Sequence, residues 1–346
     1  MLHLHIGFHK AGSTTLQTFL RDNAAALAAA GVDYPEIGRS ADDIAHHALA
    51  KGLKPRRDAA PQLESWWREA GARAKGGRNL VISSEGLEPA DPAPLRDWLA
   101  GTPVKVIAYV RDLPSRLVSI YAQSTKRGSS ALDFDAFVER EMRLDRTPSA
   151  PKLKAWGEVF GPANIRVRSL DRDCLVGGEL IADFLDAIGL GSDARGRLGL
   201  VDGAAQNVSP GWKTLEVLRA LNADADWRED EASPAVEDPR SPAGSLMRAA
   251  QAAQARLGLN DRGLYLTEAQ IADAVRVNNA DNAAVEALGV DAKLAPASAD
   301  VLTPRTFMPE LSRIPPEELT AFYREMVSAM ARQVMLRPGR ARRGQA

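Results

Sequence analysis

The sequence predicts an α/β chain: three layers around a central parallel sheet, with a largely helical C-terminal portion. Three observations predict it. Short apolar runs of strand character recur at Leu2–Phe8, Asn79–Ser83, Val104–Val110 and Ile165–Ser169. Segments of helical period follow them, and strands alternating with helices pair in parallel through crossover connections. Beyond about residue 205 the strand-like runs stop and helical patterns take over.

Leu2–Phe8 alternates histidine with apolar residues, as a strand does. Thr14–Ala30 has apolar residues at helical spacing, with Gly31 as a stop. Ile44–Leu53 and Gln62–Lys75 read as helices, NLVIS (Asn79–Ser83) as a strand after a Gly-Gly break, and Pro94–Ala100 as a short helix. VKVIAYV (Val104–Val110) is rich in β-branched residues and is the strongest strand. The helix Pro114–Gln123 follows, with Asp112 placed to cap it and Pro114 in its first turn. Phe134–Arg143 and Pro151–Phe160 read as helices, Ile165–Ser169 as a strand, and Glu179–Ile188 as an amphipathic helix ended by Gly189. The expected organisation is an α/β core over 1–205 and a helical portion over 206–336 that completes the same domain. Within the latter a mobile insertion is expected at about 227–245, and a basic disordered tail occupies 337–346.

Composition narrows the function classes. The chain has 346 residues, 45% of them apolar and 26% charged, as in a globular protein. A net charge of −1 gives no global field toward nucleic acid, and none is expected as a partner. The one cysteine, Cys174, excludes an internal disulfide framework. The first ten residues hold three histidines and a lysine rather than a secretory leader, and the longest apolar run, near Ala24–Ala30, is too short for a membrane span. A cytoplasmic location is expected.

Two motifs carry the chemistry. In HIGFHKAGSTTLQTFL (His5–Leu20) a strand enters a tight turn and then a helix. The first N–H groups of such a helix, together with its dipole, attract an anion. Gly12 lets the backbone approach, Ser13, Thr14 and Thr15 add hydroxyls, and Lys10 adds a full charge. The ATP-binding pattern G-x-x-x-x-G-K-[ST] is not met, because Ser13 stands where that pattern needs lysine. A plain capped helix, with Lys10 as a solvated charge, would also account for this stretch taken alone. In YVRDLPSRLVSIY (Tyr109–Tyr121), Arg111 ends the strongest strand and Ser119 lies eight residues on, in the next helix. Ligands of open α/β sheets bind beyond the carboxyl ends of the strands, and a guanidinium grips phosphate through two hydrogen bonds. Two anion sites suggest a nucleotide phosphorylated at two places.

These residues resemble the sulfotransferases that use 3′-phosphoadenosine 5′-phosphosulfate (PAPS), closest to the bacterial and carbohydrate-type branch. Lys10 with Gly12, Ser13, Thr14 and Thr15 looks like their 5′-phosphosulfate loop. Arg111 and Ser119 look like their 3′-phosphate pair. The resemblance covers roughly residues 1 to 190 by element order. It implies a fold like that of the P-loop NTPases, PAPS as co-substrate, no metal, and a small-molecule or glycan acceptor. The Arg-Lys-Gly motif of the cytosolic branch is not evident; Asn207 and Ser209 are candidates to replace it.

Sulfuryl transfer places negative charge on the oxygen bridging sulfur to the departing nucleotide, where a cation lowers the barrier. Lys10 is the candidate. The acceptor also needs a general base. Glu85, after the NLVIS strand, sits by position like the catalytic histidine of the cytosolic branch. Asp43, in ADDIAHHALA, falls near the place of the glutamate of the heparan-type branch, and His46 and His47 could hold acceptor hydroxyls. A helix-capping Glu85, or a surface helix with one histidine turned inward, is the structural alternative. Two other functions stay open: a P-loop kinase or phosphotransferase using ATP and magnesium, and a non-catalytic nucleotide-binding protein.

Overall fold

A computed structural model describes residues 1–39, 43–53, 62–144, 148–201, 210–224, 242–259, 266–305 and 307–335. Its centre is β1 (Leu2–Ile6), buried along its whole length. β1 pairs in parallel with β3 (Asn79–Ser84) on one side and β4 (Val104–Val110) on the other. The register sets Ile6 opposite Ser84 and His5 opposite Ile107. β2 (Val32–Asp33) extends the sheet beyond β3, and β5 (Ile165–Ser169) and then β6 (Asp291–Lys293) extend it beyond β4. All six strands run parallel in the order β2-β3-β1-β4-β5-β6, the α/β sheet the sequence predicts.

Two of these strands have no counterpart in the sequence reading. β2 has two residues and β6 has three, too short for a periodic pattern to register. β6 comes from the portion expected to be helical. It is tied to β5 by Arg168, whose guanidinium spans both carboxylate oxygens of Asp291 at 2.9 and 2.8 Å and also donates to the Asp291 carbonyl at 2.7 Å.

The helices follow α/β logic. In place of one helix over Thr14–Ala30 there are two, α1 (Ser13–Asp22) and α2 (Ala24–Ala29). The break is at Asn23. Its side-chain amide donates to the Phe19 and Val201 carbonyls at 2.8 and 3.0 Å and accepts from Val201 N–H at 2.9 Å. The side chain thus ties down a distant loop instead of facing solvent on a continuous helix. The expected Ile44–Leu53 helix shrinks to α3 (His47–Lys51). α4 (Leu63–Lys75), α5 (Leu95–Trp98), α6 (Leu113–Lys126), α7 (Phe134–Arg143), α8 (Ala150–Phe160), α9 (Leu180–Ala187) and α10 (Ala194–Arg197) follow in order. Asp112 accepts from Ser115 N–H at 2.8 Å, the capping bond its position predicts.

The chain divides into two compact units. The first, Met1–Arg116, Asp145–Gln206 and Ala272–Ala299, holds the sheet and most of α13 (Glu268–Glu286). The second, Leu117–Leu144, Asn207–Ile271 and Asp300–Ala346, holds α7, α11 (Trp212–Ala223), α12 (Pro242–Leu257) and α14 (Pro316–Met335). In this helical unit Tyr121 packs edge-on against Phe134 and Phe137, and Lys213 pairs with Glu318 at 2.7 Å. Of the stretch 227–245 expected to form an insertion, residues 242–245 open α12; the remainder, and the tail 337–346, lie outside the described residues. Among the described residues no helix is long and apolar enough to cross a membrane.

Candidate functional site

The chain leaves β1 toward β2 and β3 on one side of the sheet, and leaves β4 toward β5 and β6 on the other. The boundary between β1 and β4 is therefore the switch point where α/β sheets bind ligands, at the carboxyl ends of the strands. The Lys10 turn follows β1 and Arg111 follows β4 at that edge.

The turn from Gly7 to Gly12 is built for close packing. A Cβ on Gly7 would lie 2.1 Å from Ser13 Oγ and 3.4 Å from Glu85 Cα, and one on Gly12 would lie 2.5 Å from Leu180 Cδ2. Gly12 has φ of 80° and precedes the first residue of α1. Lys10 has φ of 66° and is the one non-glycine residue with positive φ among the described residues. A left-handed lysine costs on the order of 1–2 kcal/mol and points to a functional constraint. Ser13 is 4% exposed, and among the described residues its hydroxyl has no hydrogen-bond partner. A buried hydroxyl beside unpaired N–H groups at a helix start is short of one polar group, which an anion would supply. Thr14 and Thr15 are exposed on the first turn.

β3 brings a second set to the same edge. Gly7 N–H donates to the Ser84 carbonyl at 3.3 Å, so Glu85 stands beside the start of the turn. Glu85 opens a 3₁₀ turn, Glu85–Leu87, and is partly exposed. His47, exposed at the start of α3, lies with Nδ1 3.1 Å from Ser84 Oγ. Asp43 is not in a helix. Its carboxylate accepts from Ala45 N–H at 3.0 Å and shapes the turn before α3.

His46 is the histidine turned inward. Its Nδ1 accepts from Ser83 N–H at 3.2 Å, which leaves Nε2–H to donate to the Pro35 carbonyl at 2.8 Å. Burial lowers its pKa from 6.5 to about 4, so it is neutral and structural. His5, with Nδ1 2.7 Å from Ser83 Oγ, and His3 are also buried and also lowered to about 4, chiefly by burial.

A third cluster has no counterpart in the sequence reading. Glu88, 6% exposed, accepts two bonds from His9 on one oxygen: from the backbone N–H at 2.8 Å and from Nδ1. Lys152 of α8 donates to the other oxygen. Burial opposes ionisation of Glu88, but His9 and Lys152 outweigh it and hold the pKa at about 2. The bond to Glu88 raises the His9 pKa above 6.5 against the opposing effect of burial. The His9 side chain is half exposed. Partners 79 and 64 residues apart in sequence leave no local pattern to find.

Arg111 is exposed and lines a pocket with Asp112, Arg116, Ser149, Ser169 and Asn278. α13 supplies much of the wall, also missed in the sequence. Asn278 accepts from Leu113 N–H at 3.0 Å, and Asp281 accepts from Ser149 and Ala150 N–H at the start of α8. The available signal was the polar spacing in VNNADN, where Asn278, Asp281 and Asn282 fall on one helix face. The pocket lining includes Arg111 but no residue of the Lys10 turn. Ser119 is on α6, in the second unit. Asn207 and Ser209 lie outside the described residues. Among the described residues no group of three His, Cys, Asp or Glu side chains is gathered for a metal ion.

No protein-family profile matches the chain, and no curated protein matches it. Among solved structures it is similar to a sulfotransferase from Alicyclobacillus acidocaldarius, at 16% identity and a TM-score of 0.38, over 64% of this chain and 91% of that one.

Proposed function

We propose that the chain is a sulfotransferase that moves a sulfuryl group from PAPS to a hydroxyl or amine, on a carbohydrate or small metabolite. The observation that supports this reading most is the turn after β1. A left-handed lysine, a glycine that admits no side chain, and a buried hydroxyl without a partner among the described residues meet at the start of a helix. That arrangement suits a compact anion carried on a larger molecule. Arg111, at the end of the neighbouring strand, suits a second phosphate.

PAPS supplies the sulfuryl group. The chain's part is to bind and to neutralise. Ser13, Thr14, Thr15 and the first N–H groups of α1 hold the 5′ end, and Arg111 holds the 3′-phosphate. Lys10 stabilises the charge that collects on the departing phosphate oxygen as the acceptor oxygen or nitrogen bonds to sulfur. A carboxylate or imidazole at the end of β3, Glu85 or His47, takes the acceptor's proton. Asp43 is the less favoured base, because its carboxylate already serves its own turn.

Calorimetry with 3′,5′-adenosine bisphosphate, the product nucleotide, tests the reading. Binding is expected, weakened at least about tenfold in Arg111→Ala through loss of a charge-assisted pair. No heat of binding to the parent protein, with ATP–magnesium binding in its place, would overturn it.

A further inference from the structure

His9 precedes Lys10 and is fixed in two ways by a single carboxylate oxygen. Its backbone N–H and its Nδ1 both bond Glu88 Oε2. Lys152 holds the other oxygen, so Glu88 cannot swing away without losing its own partners in a buried site. The imidazole is therefore set in orientation, with Nδ1 as the donor, since an ionised carboxylate only accepts. Among the described residues Nε2, at the far side of the ring, has no hydrogen-bond partner, while the side chain is half exposed. An oriented imidazole with an unused nitrogen, one residue before the lysine of an anion turn, is more than a structural tie.

We propose that His9 is a second catalytic group of the turn: its imidazolium, held by Glu88, donates Nε2–H to the phosphate end of the anion seated beside Lys10. This rests on the sulfotransferase reading and deepens it. In the transfer, the bond from sulfur to the acceptor atom forms and the bond from sulfur to the bridging oxygen breaks. The electron pair stays on that oxygen, and the acceptor's proton goes to the base at the end of β3. His9 keeps its proton throughout. It adds a hydrogen bond that strengthens as the charge on the phosphate grows, which lowers the barrier more than it tightens binding.

The groups facing His9 agree with a cation there. Glu88 and Glu85 favour the charged ring, while Lys152 and burial oppose it. The balance lies above 6.5, so the ring carries charge at lower pH and loses it as pH rises through the raised value.

NMR titration of the full-length protein tests this. The chain has five histidines, and His9→Gln identifies the His9 signal by its loss. Adding 3′,5′-adenosine bisphosphate is expected to move the His9 midpoint upward, because a phosphate dianion at Nε2 favours the imidazolium. Binding seen by calorimetry with the His9 midpoint unmoved would overturn the His9 role and leave the sulfotransferase reading standing. No binding at all would overturn that reading, and the His9 role with it. Kinetics supply a second arm. In the parent enzyme kcat should fall on the alkaline side, and Glu88→Gln should move that limb to lower pH. His9→Gln should abolish the limb and reduce kcat about tenfold or more, with a smaller change in KM for PAPS. A rising limb that His9→Gln abolishes would make His9 a base and refute the donor role.

Discussion

Acid should unfold this protein through three histidines that cannot accept a proton where they sit. His3, His5 and His46 are buried, and each has its pKa lowered from 6.5 to about 4, chiefly by burial. The unfolded chain takes up protons at these side chains below 6.5, while the folded chain resists until about 4. Stability is therefore unaffected by them above 6.5, falls as pH drops below it, and levels off below about 4. One pH unit below 6.5, each histidine costs about 1.4 kcal/mol, and the three together about 4 kcal/mol. That is a large share of the roughly 5–15 kcal/mol by which a domain is stable. The assay is urea unfolding followed by tryptophan fluorescence at about pH 7.5, 6.5 and 5.5. With a slope of about 1–3 kcal/mol per molar urea, the midpoint should drop by about 1 M or more between the outer two points. His9 and Glu88 have the opposite or a lower window. The raised His9 contributes stability that is full below 6.5 and lost at higher pH, and Glu88 contributes above 4.5 and loses it toward about 2. A midpoint that stays constant down to about pH 5.5 would refute the reasoning, because it would mean that the protein interior tolerates charged imidazole at these three positions.

Lys10→Ala should reduce sulfuryl transfer by about a hundredfold or more while circular dichroism shows the fold intact, since the ammonium is removed and the backbone keeps a residue with a Cβ at φ of 66°. Gly12→Ala should weaken nucleotide binding at least about tenfold in calorimetry, because φ of 80° and a Cβ 2.5 Å from Leu180 Cδ2 force the turn to move. Glu85→Gln and His47→Ala, assayed side by side across pH, should separate the candidate bases: loss of the rising acid limb of kcat/KM marks the one that takes the proton.

The parts legible in the sequence were those set by neighbours in sequence. VKVIAYV is a strand because its β-branched residues suit a buried parallel sheet, and Asp112 caps α6 because its carboxylate reaches three residues ahead. The elements of the turn after β1 were visible for the same reason, since Lys10, Gly12 and Ser13 are joined by a few peptide bonds. What could not be read depends on distant pairing. Asn23 breaks a helix for the sake of Val201, His9 is oriented by Glu88, and the Arg111 pocket borrows a wall from α13. Asp43 shows a smaller difference of the same kind: the sequence set it in a helix-like stretch, and it lies outside α3, with one carboxylate oxygen accepting from Ala45 N–H two residues on.

The last strand of the sheet has a consequence for how the protein is made. β5 ends at Ser169, and its outer neighbour begins at Asp291, so a ribosome must add everything between before that edge is covered. Until then β5 presents open backbone groups, and the Arg168 guanidinium lacks the carboxylate that later neutralises it. Nascent chains should need protection during that interval, and any shortened form that stops before Lys293 should stick to its own kind along that edge.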